Sequence, residues 1–452
     1  MKIKILFISI AFIFSVNAKI EIHQEILING LKVIIVPMKS NEVVRLGIVY
    51  NVGSADDPMC KIGLSHFLEH MMFKGTKTHS GPQFKQLLDK YSMYTNATTS
   101  QDYTVYFHSL HKDFLETILK LEADRMINLK FDNKDVESER NVVADERNMR
   151  CDSDPEGRHI ADTIQRAKYL HSNYGINAIG YPQHIKNYSK KALIKHYRKF
   201  YKPNNATIIV VGDVSITEVV DKIKATFNRI TVSSEAVKRN RVLDPTDLNL
   251  KHSIERSSDQ IKRSTIEFIY TFDRKHIDSL RKMFTLDILN ICLGANRRSI
   301  LYQELVEKKQ AVYSVSSGLE TPAFDKCFFS IFAHMKSEND DKNVEKQISD
   351  IVNNLIPTYL TKELFEKVKN TIFESQDLLL DNPGDMFLYI INTAIALGYN
   401  LEDVKNLKEI ITQITFEELQ KMAKEILIEN NKVCRIYIHP DEEASKYKDQ
   451  TN

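Results

Sequence analysis

The sequence predicts a chain of mixed helices and strands folded as two related domains, and three observations carry that expectation. The chain has 452 residues, too many for one ordinary core, and two domains of about 200 residues are the natural division. Helix-like and strand-like periodicities alternate along it. The stretch from Tyr197-Arg198-Lys199-Phe200 to Val211 is also paralleled by Met422-Ala423-Lys424-Glu425 to Tyr437, each setting an Asn-Asn pair before a strand, 226 residues apart. A period that long means a duplicated domain rather than a solenoid. The expected division is a leader at 1–18, a first domain at 19–231, a linker at 232–263 and a second domain at 264–445.

Residues 1–18 differ from the rest. Lys2 and Lys4 precede an apolar run from Ile5 to Val16 that ends in Val16-Asn17-Ala18. This is the pattern of a secretory signal peptide with a small residue at the cleavage point. The run is shorter than the ~20 residues that span a bilayer, which argues against a stable membrane anchor. It contains no arginine, which argues against a mitochondrial presequence. Export is expected, to the periplasm in a bacterial source.

The elements then follow in order. Glu25 to Pro37 reads as a hairpin turning at Asn29-Gly30, a dipeptide that supplies the positive φ of a tight turn. Val43 to Val52 is apolar and β-branched, the mark of a strand. A helix is expected from about 62 to 73, a short one around 84–91, strands near 96–109, and a long helix over about 112–128. Asp132 or Asn133 caps the next helix, which reaches about Met149. A helix at 190–200 leads through Tyr201-Lys202-Pro203-Asn204-Asn205 into a strand from Ala206 to Val211. From Val232 to Arg263 the chain turns polar and loses its periodicity, as a linker would.

His66-Phe67-Leu68-Glu69-His70 is the segment that carries chemistry. On a helix, residues i and i+4 share a face, so both imidazoles can reach one ion. Leu64, Phe67, Leu68 and Met71 form an apolar stripe beside them. H-x-x-E-H inverts the zincin order H-E-x-x-H. Zinc suits neutral imidazole nitrogens and keeps a position open for water in catalytic sites, and a neighbouring carboxylate can take that water's proton. A solvated pair of histidines would satisfy the spacing too, so a third ligand is needed. The histidines from His79 to His196 are scattered without ligand spacing and read as surface or hydrogen-bonded side chains.

Helix 133–149 offers carboxylates. Val142 and Val143 mark its buried face, and positions 139, 142, 143 and 146 follow the i, i+3, i+4, i+7 spacing of that face. Glu139 and Glu146 therefore point inward, and Glu137 and Asp145 away. Inward carboxylates must be paired or bind a cation, which leaves ion pairs with Arg140 or Arg147, or a solvated face, as the alternatives.

His66 to Thr76, followed by Glu139-Arg140-Asn141-Val142-Val143 and Glu146, closely resembles the pitrilysin/insulysin inverzincins. The short two-domain branch that includes mitochondrial processing peptidase subunits and bacterial exported zinc proteases is the nearest likeness. Asn96 to Thr104 resembles the family's edge-strand segment, and Tyr201 to Val214 its end-of-helix signature. The resemblance implies an α+β fold of two homologous domains, each a mixed sheet with helices packed on one face, enclosing a peptide chamber. It implies His66, His70 and Glu146 as ligands of one Zn2+ per chain, Glu69 as general base, and Glu139 as the carboxylate that orients the site. It implies that Asn96 and Ala97 offer main-chain groups to an extended substrate. Ser92, Met93 and Tyr94 replace glycines usual there, which would narrow the approach.

The second half departs further. The stretch after Gly294, taken as the counterpart of the motif helix, has no H-x-x-E-H, so that half reads as a non-catalytic copy. The resemblance also implies an arginine and a tyrosine that bind the substrate carbonyl. Tyr313 is kept, but Val306 and Ile300 stand where family arginines would. An alkyl group cannot stabilise a developing oxyanion. Arg297 or Arg298 could substitute; otherwise a homologous partner chain in a heterodimer would supply the charge, and a homodimer is the other assembly expected.

The function expected is a zinc endopeptidase acting on unstructured peptides, with a weakly active or non-catalytic subunit as the alternative. A net charge of +2 gives no support for nucleic-acid binding, and the lysines of 186–202 read as a solvated helix face. No Gly-rich phosphate loop or G-x-S-x-G elbow is present. Cys60, Cys151, Cys292, Cys327 and Cys434 lie far apart and suggest neither a disulfide framework nor a thiolate site.

Overall fold

The computed structural model describes residues 20–231, 236–244, 252–322, 324–336, 341–430 and 432–441. The expected leader and parts of the expected linker lie outside the described residues. The Asn29-Gly30 turn forms as its residues require, with Gly30 at φ 82° and its N–H donated to Leu27 O at 2.8 Å. It joins β1 (His23–Ile26) to β2 (Lys32–Pro37). With β3 (Val43–Tyr50), β4 (Tyr94–Thr99), β5 (Thr104–His111) and β6 (Ala206–Gly212), these make a sheet in the order β1-β2-β6-β3-β5-β4. β2 and β6 run parallel and the other pairs antiparallel. The connections carry α1 (Leu64–Met71), α2 (Gly81–Tyr91), α3 (Leu115–Asn128), α4 (Asn133–Arg147), α5 (Pro155–Lys168), α6 (Pro182–Asn187), α7 (Lys190–Phe200) and α8 (Ile216–Phe227).

The second half repeats this plan. β7 (His252–Ser258), β8 (Thr265–Phe272), β9 (Val312–Glu320), β10 (Cys327–Met335) and β11 (Val433–Pro440) pair in the order β7-β11-β8-β10-β9. Here too one pair, β7 with β11, is parallel, so β6 and β11 occupy equivalent places, as the repeated Asn-Asn pattern predicts. α9 (Leu280–Leu293), α10 (Asp341–Asn353), α11 (Lys362–Asp381) and α12 (Pro383–Ile390) follow. Two expectations are corrected. The polar stretch 232–263 is not all linker, because it contains β7, an edge strand whose mostly polar sequence gives no apolar alternation. The counterpart of the motif helix is α9, which follows β8 as α1 follows β3, and not the stretch after Gly294.

Each sheet is covered on one face by its own half and on the other by a helix from the opposite half. Ile35, Leu46 and Ile48 pack under first-half helices, whereas Ile34, Val36 and Ile209 join a core with Met386, Phe387 and Ile390 of α12. Gly47 permits this approach, since a Cβ there would stand 2.3 Å from the Phe387 ring. In return, Ile160, Ile164 and Ala167 of α5 pack on Ile269, Phe328 and Ile436 of the second sheet. Both exchanged helices open the same way, with proline in the first turn and the side chain of Asp154 or Asn382 capping it. Two-sided covering matches the burial of every residue of β6 and β8, where even Glu267 is buried.

Candidate metal centre

The carboxylate of Asp57 caps α1, accepting from Gly63 N at 2.8 Å, Ser65 N at 3.0 Å and Ser65 Oγ at 2.7 Å. The Ser65 hydroxyl in turn lies 2.9 Å from His196 Nε2. Leu64, Phe67, Leu68 and Met71 are buried as the stripe predicts, which turns His66, Glu69 and His70 toward α4. α4 buries Val136, Glu139, Val143 and Arg147. Val142, expected on the buried face, is 45% exposed and lines the cavity described below, on a side of the helix that faces the opening and not the core. Glu137 and Asp145 are exposed, as expected, though Asp145 lines that same cavity.

Glu139 and Glu146 do not pair with Arg140 or Arg147. Arg140 donates to Ile185 O and Tyr188 O, and Arg147 to Gly180 O, so both arginines hold the segment around α6. Glu139 Oε1 instead bonds His70 Nδ1 at 2.8 Å, and its other oxygen pairs with Lys74. Glu146 Oε2 lies 3.5 Å from His66 Nε2 and 3.1 Å from His70 Nε2. It is buried and has no hydrogen-bond partner, so these atoms are close neighbours that do not bond one another. Arg150, one turn on, pairs with Glu146 Oε1 at 3.0 Å.

Three ligand atoms, from His66, His70 and Glu146, lie within 4.8 Å of one another. Nitrogen and oxygen ligands ~2.1 Å from a tetrahedral zinc stand about 3.4 Å apart, close to the 3.5 and 3.1 Å that separate Glu146 Oε2 from the two imidazoles. The donor set thus fits zinc, and the carboxylate oxygen that bonds no neighbour is free to join a cation. The protonation pattern agrees. Burial, with help from His70, holds His66 down to about 4. Burial opposes charge on His70 as well, yet the flanking Glu139 and Glu146 raise it to about 9. Those two carboxylates create a demand for positive charge that a metal ion would meet in place of a proton.

Glu69 faces the same place. Burial raises its proton affinity, opposed by a hydrogen bond from Thr99 Oγ1 at 2.5 Å. The site opens into a cavity of about 910 Å³ whose lining includes Phe73, Asn96, Ala97, Val142, Met149 and Ile179. Asn96 and Ala97 lie on β4, an edge strand paired only with β5 among the described residues. Ala97 N–H is taken by Asn96 Oδ1 at 2.9 Å, and the Asn96 amide donates to Tyr94 OH at 2.8 Å.

Tyr313 is not brought to the cluster. It sits half exposed on β9 under the guanidinium of Arg263, 4.8 Å from the ring centre. Ile300 is buried and Val306 packs against the second-half core, while Arg297 and Arg298 lie exposed on a turn. Sequence reasoning missed the roles of Thr99, Lys74 and Arg150. The last two carried a usable signal, each standing four residues after His70 or Glu146. Three of the cysteines are buried, Cys60 is exposed, and all five are free.

Comparison with known proteins agrees with this construction. A sequence model described as insulinase (peptidase family M16) matches residues 32–180, and one described as the M16 inactive domain matches 187–372. The zinc protease PqqE of Helicobacter pylori is 28% identical over 352 residues, 77% of this chain and 78% of that one. The crystal structure of a protease from Helicobacter pylori superposes with a TM-score of 0.82 at 25% identity, covering 93% of this chain and 99% of that one. The periplasmic protease PqqL from Escherichia coli shares the fold at a TM-score of 0.75 and 19% identity, covering 94% of this chain and 48% of that one. With both M16 domains matched in order along two homologous α+β halves, the chain belongs to the insulinase family of peptidases, M16.

Proposed function

We propose that this protein is a zinc-dependent endopeptidase in which His66, His70 and Glu146 hold one zinc ion and Glu69 is the general base. The observation that carries the reading is the convergence of those three ligand atoms beside a buried carboxylate, at the floor of an open cavity. Zinc, when bound, would polarise the scissile carbonyl and acidify a water molecule. Glu69 then takes the water's proton and returns it to the leaving amine, a task suited to a carboxylate whose proton affinity burial has raised. Glu139 fixes His70 by its Nδ1, which leaves Nε2 facing inward.

The edge of β4 away from β5, at Asn96 and Ala97, would grip an extended substrate by its backbone once the Asn96 side chain gives up the Ala97 N–H. Only a chain free of its own structure can pair in that way, so unstructured peptides are the substrate class. Tyr313, on β9, is a second proposed substrate contact, since β9 holds the place in its sheet that β4 holds in the first. Export to the periplasm is proposed from the leader, and a mature N-terminus at Lys19 would bear it out. Among the described residues no helix is long and apolar enough to cross a membrane.

The test is Glu69→Gln. Zinc content stays at the wild-type level while hydrolysis of an unstructured peptide falls by a factor of about 10²–10⁴; hydrolysis at the wild-type rate overturns the mechanism. A second reading, a subunit that reaches full activity only beside a homologous chain or a second copy of itself, has one observation in its favour. Among the described residues, the cavity lining runs from His66 to Ile179 and includes none of the second half. Full activity from the isolated monomer, unchanged by adding such a chain, removes it.

A further inference from the structure

The hydroxyl of Thr99 is directed at the base. Thr99 Oγ1 lies 2.5 Å from Glu69 Oε2, and a threonine has one proton to donate. The nearest competing acceptor is Thr104 Oγ1 at 3.4 Å, which spends its own proton on Val52 O at 2.9 Å. The Thr99 proton therefore goes to the carboxylate, and the other carboxylate oxygen is left to exchange protons. We propose that Thr99 is a positioning residue for Glu69, so that the strand on which a peptide would pair also orients the base. This rests on the reading of Glu69 as general base.

Thr99 can do this because its own place is fixed from outside the site. It ends β4 and pairs with Thr104 across the hairpin. The hairpin tip is tied down by Ser54 N to Ser100 O and Ala55 N to Gln101 O, both at 3.0 Å. The next residue, Asp102, pairs with Arg241, which also grips Asp56 through Nε at 2.9 Å and Nη2 at 2.7 Å. Arg241 comes from the polar segment between the halves and is itself buried at its side chain. Alternation along β4 sets Ala97 and Thr99 on one face, toward α1, while the free edge stays open. A peptide pairing on that edge and the carboxylate that attacks it are thus referred to the same strand.

The experiment is Thr99→Val, which keeps the shape of the side chain and removes the hydroxyl. For an unstructured peptide, kcat falls at least about tenfold, the scale of one hydrogen bond to a charged group, while KM stays within about twofold and zinc content is unchanged. Thr99→Ser, which retains the hydroxyl, recovers activity to within about threefold; should the valine fail to fold, Thr99→Ala takes its place. In a Glu69→Gln background the Thr99 substitution costs nothing further, because the group it positions is gone. Wild-type kcat in Thr99→Val, equal losses in the serine and valine variants, or a fully additive loss in the double variant overturns the proposal. Undiminished hydrolysis by Glu69→Gln alone overturns instead the reading on which it rests.

Discussion

Both halves of this molecule set a helix pair at the same point of the same sheet, and only one pair is built for chemistry. α1 follows β3 and packs on α4, as α9 follows β8 and packs on α11. In the first pair, three carboxylates and two imidazoles occupy the seam. In the second, α9 has no histidine and fills its buried face with Phe284, Leu286, Ile288, Leu289 and Leu293. The one carboxyl on α9, that of Asp287, is pushed up to about 7 by burial alone. The fold accepts either filling, which teaches that the scaffold does not need the charges. They are costly unless a cation joins them, and their presence in one half is a mark of function rather than of folding.

The largest expected effect tests that contrast directly. Glu146→Gln abolishes peptide hydrolysis, because a ligand is lost, whereas Asp287→Asn on α9 leaves the rate unchanged; comparable losses in steady-state assays of the two variants would erase the distinction. Next in size is the helix exchange that joins the halves. Phe387→Ala on α12 and Ile164→Ala on α5 each cost about 2–5 kcal/mol in urea unfolding, since each empties a pocket on the opposite sheet. A loss under about 1 kcal/mol in either would mean that helix is not part of the partner core.

Smaller again is the effect of Glu139→Gln, which leaves the ligands in place but weakens the hold on His70. Zinc affinity by competition with a chelator falls by a factor of about 10–100, and an unchanged affinity would deny Glu139 its orienting role. The smallest effect concerns the support beneath α1. Burial holds His196 down to about 4, against about 6.5 in an unfolded chain. As pH falls, the unfolded state takes up that proton first, so the stability present above pH 6.5 is lost progressively between about 6.5 and 4. His196→Gln makes the slope of unfolding free energy against pH shallower by up to about one proton in that window; identical slopes would show His196 charged in the folded state.

Features set by local spacing were legible in the sequence. The i, i+4 histidines and the inward turn of Glu139 and Glu146 follow from helix geometry, and the structure brings His66, His70 and Glu146 together. The same periodicity misplaced Val142, because it cannot tell a core from a cavity wall. β7 escaped notice since an edge strand of polar residues has no apolar face to reveal it. The exchange of α5 and α12 depends on contacts between distant segments, which no local pattern reports. A partial signal was nonetheless present in the apolar run Ile208 to Val211 of β6, which calls for cover on both faces, whereas Glu267 interrupts the corresponding run of β8. Thr99 carried none, as nothing in a strand's alternation says which neighbour its hydroxyl will meet.

The central claim, a zinc site confined to the first half, is tested most directly by metal analysis of the purified chain after dialysis against buffered zinc. One zinc per chain in the wild type and in Glu69→Gln, with none in His70→Ala, is the predicted result. A wild type that holds no zinc, or a His70→Ala variant that holds as much as the wild type, would contradict it.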